Sequence, residues 1–325
     1  GLMGGLDPKE NIWPILWLAT LLSFLSGTQD IAVDAFRREI LCDNELGLGN
    51  AVHVNAYRIA GLVPGSLSLI LADRLPWNEV FWITSAFMIP GMVMAWLVSE
   101  PLVKGVPKTL RQAVTEPFHE FIDRQGWRGA LLVLGFIFLY KLGDSLSTAL
   151  ATPFYLDMGF TKTDIGLIAK HAGLWPAVIG ALLGGLWMVR LGINRALWLF
   201  GVVQLVSIFG FVWLSAHGHF ASIGTGERLA LAFVIGLEAL GVGLGTSAFV
   251  AFIARSTHPA YTATQMALFT SLAAVPRTFV NASAGWLVEI LGWTSFFWLC
   301  AALAVPGMLL LFKVAPWRAR EMGLA

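Results

Sequence analysis

One apolar segment of the sequence occurs twice. Residues 75–92 read LPWNEVFWITSAFMIPGM and residues 291–308 read LGWTSFFWLCAALAVPGM, with eight identical residues at the same spacing and an offset of 216 positions. Self-similarity of this kind is typical of membrane proteins built from two related helical halves. At this offset, the partner of a helix that begins near Arg128 would lie about 88 positions before Gly1. We therefore expect the chain to be a fragment of a longer protein that lacks the first three helices of that design.

The composition indicates an integral membrane protein. The chain is 57% hydrophobic and 13% charged, with a mean hydropathy of +0.73, whereas a soluble domain carries about 25% charged residues. No basic patch supports nucleic-acid binding, and the histidines and cysteines lack the spacing of a metal site. Cys42 in a loop and Cys300 inside an apolar run predict no disulfide. We expect an all-α integral membrane protein, monomeric, with no cofactor and no metal.

Nine apolar runs are long enough to cross a bilayer, which requires about 20 residues per helix. They are 13–36, 49–71, 80–98, 131–155, 165–189, 196–216, 229–254, 263–288 and 296–312. One long polar stretch separates the first three runs from the last six. We therefore predict the remainder of an N-terminal half at 1–98, a linker at 99–127 and a C-terminal six-helix half at 128–325.

The distribution of Lys and Arg predicts the orientation of these spans. Loops on the linker side hold thirteen of these residues, and loops on the other side hold four. Because cytoplasmic loops carry the excess of positive charge, we expect a cytoplasmic linker and C-terminus, with Gly1 on the opposite side.

Acidic residues inside or near the spans are candidate proton-coupling groups. They are Asp30, Asp34, Asp144 and Glu238. An unpaired charge at the centre of a bilayer costs at least about 2.5–3.5 kcal/mol, so these groups should face a cavity or a partner. Asp30 and Asp34 share one helical face with Arg37 a turn further on. For Asp34 the alternative is an ion pair with Arg37 or Arg38 at the cytoplasmic end.

Two of these acids have candidate cationic partners. Lys141 and Asp144 are three residues apart and share a helical face. Protonation of this Asp would release the Lys to bind an anionic solute; the alternative is a neutral pair that only holds the helix in place. Glu238 is either a second titrating group or the ion-pair partner of Lys170 or Arg277.

Polar residues on several spans are candidate solute ligands. They are Lys141, Arg277, Asn281, Gln265, Asn55, Tyr57 and Arg58. Arg277 is the preferred anchor, because a planar guanidinium binds a carboxylate through two hydrogen bonds. The alternatives are packing against backbone carbonyls for Arg277 and Arg58, and hydrogen bonding between helices for Gln265. The candidate gating residues are Arg37, Arg190 and Arg195.

Several motifs resemble one transporter family. The run 185–192, GLWMVRLG, followed by Arg195, resembles the cytoplasmic loop motif of the major facilitator superfamily, with Val189 in place of the usual acidic residue. Five other runs resemble the AmpG-type anhydromuropeptide permeases of that superfamily. They are GTQDIAVDAFR at 27–37, NAYRIAG at 55–61, LGDSL at 142–146, PFYLDMGF at 153–160 and YTATQMAL at 261–268.

This resemblance implies a major facilitator superfamily-type helical bundle in the bacterial inner membrane. It implies proton-driven import of GlcNAc-1,6-anhydroMurNAc peptides by alternating access, with lipids, protons and this acidic sugar solute as partners. It further implies a contribution to peptidoglycan recycling and, in some bacteria, to β-lactamase induction. The alternatives are a related transporter for an acyl-CoA or a sugar acid, and a non-transporting membrane sensor. A membrane enzyme would need catalytic residues clustered at one membrane face, so we expect no enzymatic activity.

Overall fold

The computed structural model describes residues 2–7, 9–42, 45–72, 74–99 and 110–317, and these residues form helices without any strand. The α-helices are α1 (Ile12–Ile40), α2 (Leu46–Ala60), α3 (Ser68–Ala72), α4 (Trp77–Ala86), α5 (Ile89–Leu97), α6 (Leu110–Leu139), α7 (Leu142–Ala149), α8 (Ala151–Asp157), α9 (Lys162–Ala216), α10 (Thr225–Ser256), α11 (Thr262–Val275) and α12 (Ala284–Val314). Residues 100–109 of the predicted linker and residues 318–325 lie outside this description. The prediction of an all-helical membrane protein is confirmed.

Six helical runs within the described residues are long and apolar enough to cross a membrane. They are Ile12–Ile40, Trp77–Leu97, Thr115–Asp157, Asp164–Ala216, Thr225–Ser256 and Pro259–Val314. Three of these runs, of 43, 53 and 56 residues, are about twice as long as a single crossing requires. The predicted count of nine separate spans is therefore not confirmed: the structure joins 165–189 with 196–216 and 263–288 with 296–312, and it divides 49–71 into shorter helices.

Glycines bend these long helices without a loop. Gly126 in α6, Gly192 in α9 and Gly292 in α12 have φ of 69°, 77° and 73° with ψ of 156°, 162° and 164°. Essentially only glycine adopts this conformation. The second copy of the repeated segment begins its helix after Gly292, and the first copy begins α4 after the extended Pro76. The two copies thus start a helix at equivalent positions, although only the first is preceded by a turn.

Replacing Gly292 by Ala is expected to destabilise the protein through backbone strain alone. A Cβ at Gly292 would meet no atom within 4 Å, so no steric overlap contributes. The strain is about 1–3 kcal/mol and should lower Tm in detergent by several degrees. Gly285 of the same helix has equally open space and no positive φ, so Gly285→Ala should leave Tm unchanged or raise it slightly. Equal losses in the two variants would contradict this explanation.

The apolar core is formed mainly by the helices from α6 to α12. One cluster surrounds Phe136, whose ring centroid is 4.9 Å from that of Phe252, and another surrounds Phe154, at 4.8 Å from Phe297. By contrast, no residue in the most apolar stretch of α1 is buried. In the most apolar stretch of Trp77–Leu97, 6% of the residues are buried. Apart from those that line a cavity, such as Phe24 and Ile31, exposed apolar side chains of a membrane helix face lipid rather than water.

Small residues let the helices approach closely around the interior. A Cβ at Gly180 of α9 would overlap the carbonyl oxygen of Leu240 in α10, and a Cβ at Gly243 of α10 would overlap that of Ala177. Gly185 of α9 likewise lies against Ala51 of α2, where a Cβ would be 2.5 Å from the Ala51 side chain. Such contacts are typical of membrane helices. They bring α2 and α10 next to α9, so that both helices border one interior cavity.

Candidate solute and proton site

A cavity of about 690 Å³ lies between α1, α2, α7, α10 and α11. On the side of α1 and α2, the Nη2 of Arg37 lies 2.8 Å from the Oδ1 of Asp34, and the Nε2 of His53 lies 3.9 Å from the same oxygen. Tyr57 and Arg58 continue this wall, and the Tyr57 side chain is largely exposed. The Nη1 of Arg58 is buried without a hydrogen-bond partner among the described residues. This wall therefore offers a guanidinium group and an open aromatic face.

The opposite wall carries a second ion pair. The Nζ of Lys141, at the start of α7, lies 2.7 Å from the Oδ2 of Asp144 one turn later. Asn281 donates from Nδ2 to the Oγ of Ser145 at 3.1 Å. Arg277 projects from the π-helical turn Pro276–Val280 that follows α11 and is exposed at the cavity. Five residues spread over 140 positions of sequence thus form one polar wall.

A second cavity of about 460 Å³ lies between α1 and α11. Asp30 and Thr28 line it from α1, and Ser271 lines it from α11. Asp34 and Thr270 line both cavities, so the two spaces adjoin. The two carboxylates of α1 therefore line the same cavity, as their four-residue spacing predicts.

Glu238 lies behind the Lys141–Asp144 pair. Its side chain is 8% exposed, and its Oε1 has no hydrogen-bond partner within the described part of the chain. It interacts electrostatically with Asp144, Lys141 and Arg58. The predicted partner Arg277 is not among these groups, and the side chain of the other, Lys170, lies outside the description. Glu238 therefore stays a candidate titrating group, and Lys141 and Arg58 are the cations that interact with it among the described residues.

Gln265 lies away from both cavities. Its Nε2 donates to the Oε2 of Glu120 at 2.7 Å and to the Pro117 carbonyl at 2.9 Å, and its Oε1 accepts from the His258 amide at 2.7 Å. The Nε2 group thus ties α11 to α6, which matches the helix-to-helix alternative, and both polar atoms of the amide already have partners in the protein. Asn55 is 5% exposed, borders neither cavity, and has no partner for its amide in the described residues.

Among the candidate gating residues, only Arg37 lines the large cavity. Arg190 and Arg195 are exposed, and the Nε of Arg195 is 3.5 Å from the Trp317 carbonyl. The neighbouring Arg38, which the sequence predicted only as an alternative partner of Asp34, donates from Nε to the Ala254 carbonyl at 2.8 Å. This contact joins the ends of α1 and α10. Its two residues are 216 positions apart, and no local sequence pattern indicated the contact.

Long apolar helices around a cavity that contains paired charges define a multi-pass membrane protein of the transporter class. The family model described as Major Facilitator Superfamily matches residues 1–280 of the chain. The chain therefore belongs to the major facilitator superfamily.

Proteins of three bacteria are similar to this chain over most of its length. An uncharacterized protein of Haemophilus influenzae is 51% identical over 313 residues, covering 95% of this chain and 74% of that protein. A protein of Escherichia coli K12 named anhydromuropeptide permease is 40% identical over 313 residues, covering 95% of this chain and 62% of that protein. A Rickettsia conorii protein named putative transporter AmpG 4 is 31% identical over 313 residues, covering 94% of this chain and 73% of that protein. The resemblance to AmpG-type permeases is thus confirmed, and the chain spans less than two thirds of the Escherichia coli permease.

Proposed function

We propose that the chain imports an acidic cell-wall sugar of the anhydromuropeptide class together with protons. The observation that carries this proposal is the charge of the large cavity. Its lining includes four cationic side chains, Arg37, Arg58, Lys141 and Arg277, and the two carboxylates of Asp34 and Asp144. An excess of positive charge favours an anionic solute, and about 690 Å³ lies within the usual range for small-molecule sites. The exposed Tyr57 ring provides an apolar face for a sugar ring.

The Lys141–Asp144 pair explains how solute and proton would be coupled. At 2.7 Å, Lys141 neutralises the Asp144 carboxylate in a largely buried site. An anionic solute that binds Lys141 competes with Asp144 for the ammonium group. A carboxylate that loses its cation in such a site favours the protonated form. Solute binding and proton uptake at Asp144 therefore support each other, with Glu238, Asp30 and Asp34 as the further titratable groups.

Alternating access assigns a role to the contacts between α1 and α10. The Arg38 bond to the Ala254 carbonyl holds the linker-side ends of these helices together, and the Arg37–Asp34 pair lies within α1 one residue away. Opening toward that side requires the Arg38 bond to break, and a solute anion near Arg37 would weaken the pair. Arg37 thus remains our gating candidate, with Arg38 added from the geometry.

For the membrane topology, we propose nine crossings with a cytoplasmic linker in the inner membrane of a bacterium. The bends at Gly192 and Gly292 divide two over-long runs into pairs of crossings. Residues 46–72, interrupted by a π-helical turn, supply one more crossing. This arrangement supports the proposed halves at 1–98 and 128–325 and the linker at 99–127. The excess of Lys and Arg supports a cytoplasmic position for the linker.

Labelling of Cys42 by a maleimide tests this orientation in the unsubstituted chain. Cys42 is exposed just after α1, on the proposed cytoplasmic side, whereas Cys300 is buried within α12. A membrane-impermeant maleimide should therefore label inside-out vesicles and leave intact right-side-out cells unlabelled. A Cys42→Ser variant should lose the label and so assign it. Labelling of intact cells would contradict the proposed orientation.

Uptake by proteoliposomes tests the proposed function itself. We expect the chain to accumulate labelled GlcNAc-anhydroMurNAc under an inward proton gradient and to stop when a protonophore collapses it. N-acetylglucosamine, which lacks the carboxylate, should not compete. The Escherichia coli relative named anhydromuropeptide permease is the positive control. Failure of uptake by folded, monodisperse protein, while that control accumulates the sugar, would contradict the proposal.

A further inference from the structure

Asp144 borders a second, much smaller space besides the large cavity. This void measures about 10 Å³ and is lined by Tyr140, Asp144, Gly201 and Gln204, together with four apolar residues of α9 and α12. A space of about this size is what one water molecule requires. A buried water is stable only when two or more polar groups bind it. The polar atoms of the lining therefore decide whether a water is stable in this void.

Two buried polar atoms in this lining have no partner among the described residues. Asp144 is 7% exposed and Gln204 is 5% exposed. The Oδ2 of Asp144 contacts Lys141, but its Oδ1 has no hydrogen bond, and neither does the Nε2 of Gln204. Polar groups buried to this extent almost always have a hydrogen-bond partner, either in the protein or in an ordered water.

We propose that a single buried water occupies this void and bridges Asp144 to Gln204. The carboxylate oxygen needs a donor and the amide nitrogen needs an acceptor, and a water molecule supplies both. A metal cation would satisfy the carboxylate and leave the amide N–H groups unpaired. The hydroxyl of Tyr140 already donates to the Leu197 carbonyl at 2.9 Å, so its lone pairs can accept from the same water.

This water would make Gln204 a positioning residue for Asp144, an inference that rests on the proposed function. When a solute anion draws Lys141 away, the water still holds Asp144 and limits its movement. It also donates to the ionised carboxylate, which opposes protonation. The charged and titratable groups around Asp144 are Tyr140, Lys141, Arg58 and Glu238, with His53, Asp34, Arg37 and Arg277 along the cavity they share.

A map of the full chain in lipid nanodiscs, at a resolution that shows ordered waters, tests the site directly. We expect density within about 2.7–3.2 Å of both Asp144 and Gln204. Gly201→Ala should displace it, because the new Cβ would lie 3.0 Å from the Tyr140 hydroxyl and overlap Met308. Gly210→Ala is the matched control in the same helix, with its Cβ 3.2 Å from Val234, and should retain the water.

Two results of this experiment would overturn the proposal. One is an empty void in the unsubstituted chain. The other is density at coordination distances that varies with sodium concentration, which would identify a cation. If Gly201→Ala does not fold, Gln204→Leu replaces it and should also remove the density. These readouts do not depend on transport, so failure of the uptake proposal leaves them interpretable.

The positioning role has its own measurement. Gln204→Leu should move the pH midpoint of uptake upward, because the carboxylate of Asp144 loses the hydrogen bond that its ionised form accepts from the water. Gln204→Asn retains an amide, so its pH midpoint should lie closer to that of the unsubstituted chain. A purely structural role would lower the amount of folded protein without moving the midpoint. An unchanged midpoint in Gln204→Leu would therefore overturn the positioning role.

Discussion

Replacing Asp144 by Asn is expected to abolish gradient-driven uptake and to lower Tm markedly. The side chains of Lys141 and Asp144 are 20% and 10% exposed and 2.7 Å apart. Removing one partner leaves the other charge buried without compensation, which costs about 3–5 kcal/mol. A loss of this size corresponds to a decrease in Tm of roughly 10 °C. Uptake is lost as well, because the variant has no group at this position that binds and releases a proton.

The double variant Lys141→Met/Asp144→Leu separates stability from coupling. It removes both charges, so Tm should return close to that of the unsubstituted chain while uptake stays absent. Asp123 is an exposed acid of α6 outside both cavities, and Asp123→Asn is the control that should change neither quantity. Gradient-driven uptake by Asp144→Asn would show that Asp144 does not carry the proton. The coupling role would then pass to Glu238, Asp30 or Asp34.

Replacing Gly243 by Val is expected to prevent folding. A Cβ at this position would overlap the Ala177 carbonyl and lie 2.8 Å from the Ala181 amide nitrogen. Both are backbone atoms of α9, so they cannot move aside without separating the two helices. The overpacking should cost about 3 kcal/mol or more, and the valine side chain adds two further methyl groups.

The amount of monodisperse protein recovered in detergent measures this effect. Gly243→Val should yield little or none. Gly236 of the same helix is the matched control, because a Cβ there meets its nearest neighbour, Pro176, at an ordinary 3.7 Å. Gly236→Ala should be recovered like the unsubstituted chain. Normal recovery of Gly243→Val would mean that α9 and α10 do not pack as the structure describes.

Local patterns made part of the candidate site predictable. Lys141 with Asp144, and Asp34 with Arg37, are each three residues apart, and helix geometry alone places such residues on one face. The structure finds both pairs in contact, at 2.7 and 2.8 Å. Their roles in coupling and gating stay predictions, since contact alone does not show proton transfer or movement.

Local sequence patterns could not predict contacts between helices that are far apart in the sequence. Gln265 was a candidate solute ligand, with hydrogen bonding between helices as the alternative, and the sequence did not identify its partners. Its amide instead binds Glu120 and Pro117, 145 and 148 positions earlier in the chain. Which face of α11 meets α6 depends on the packing of both helices, and hydropathy does not encode it. The Arg58–Glu238 interaction and the void between Asp144 and Gln204 also depend on helix packing, so the sequence did not predict them.

The sequence by itself determined the class of the protein: its apolar runs allow only membrane-spanning helices, and its motifs and internal repeat indicate the transporter family. These properties are local, because each apolar run must satisfy its own backbone hydrogen bonds in lipid. Only the tertiary structure decided that Gly192 and Gly292 bend continuous helices, and which charged residues share the large cavity. Positive φ angles and helix neighbours result from packing of the whole chain, so no short stretch of sequence specifies them.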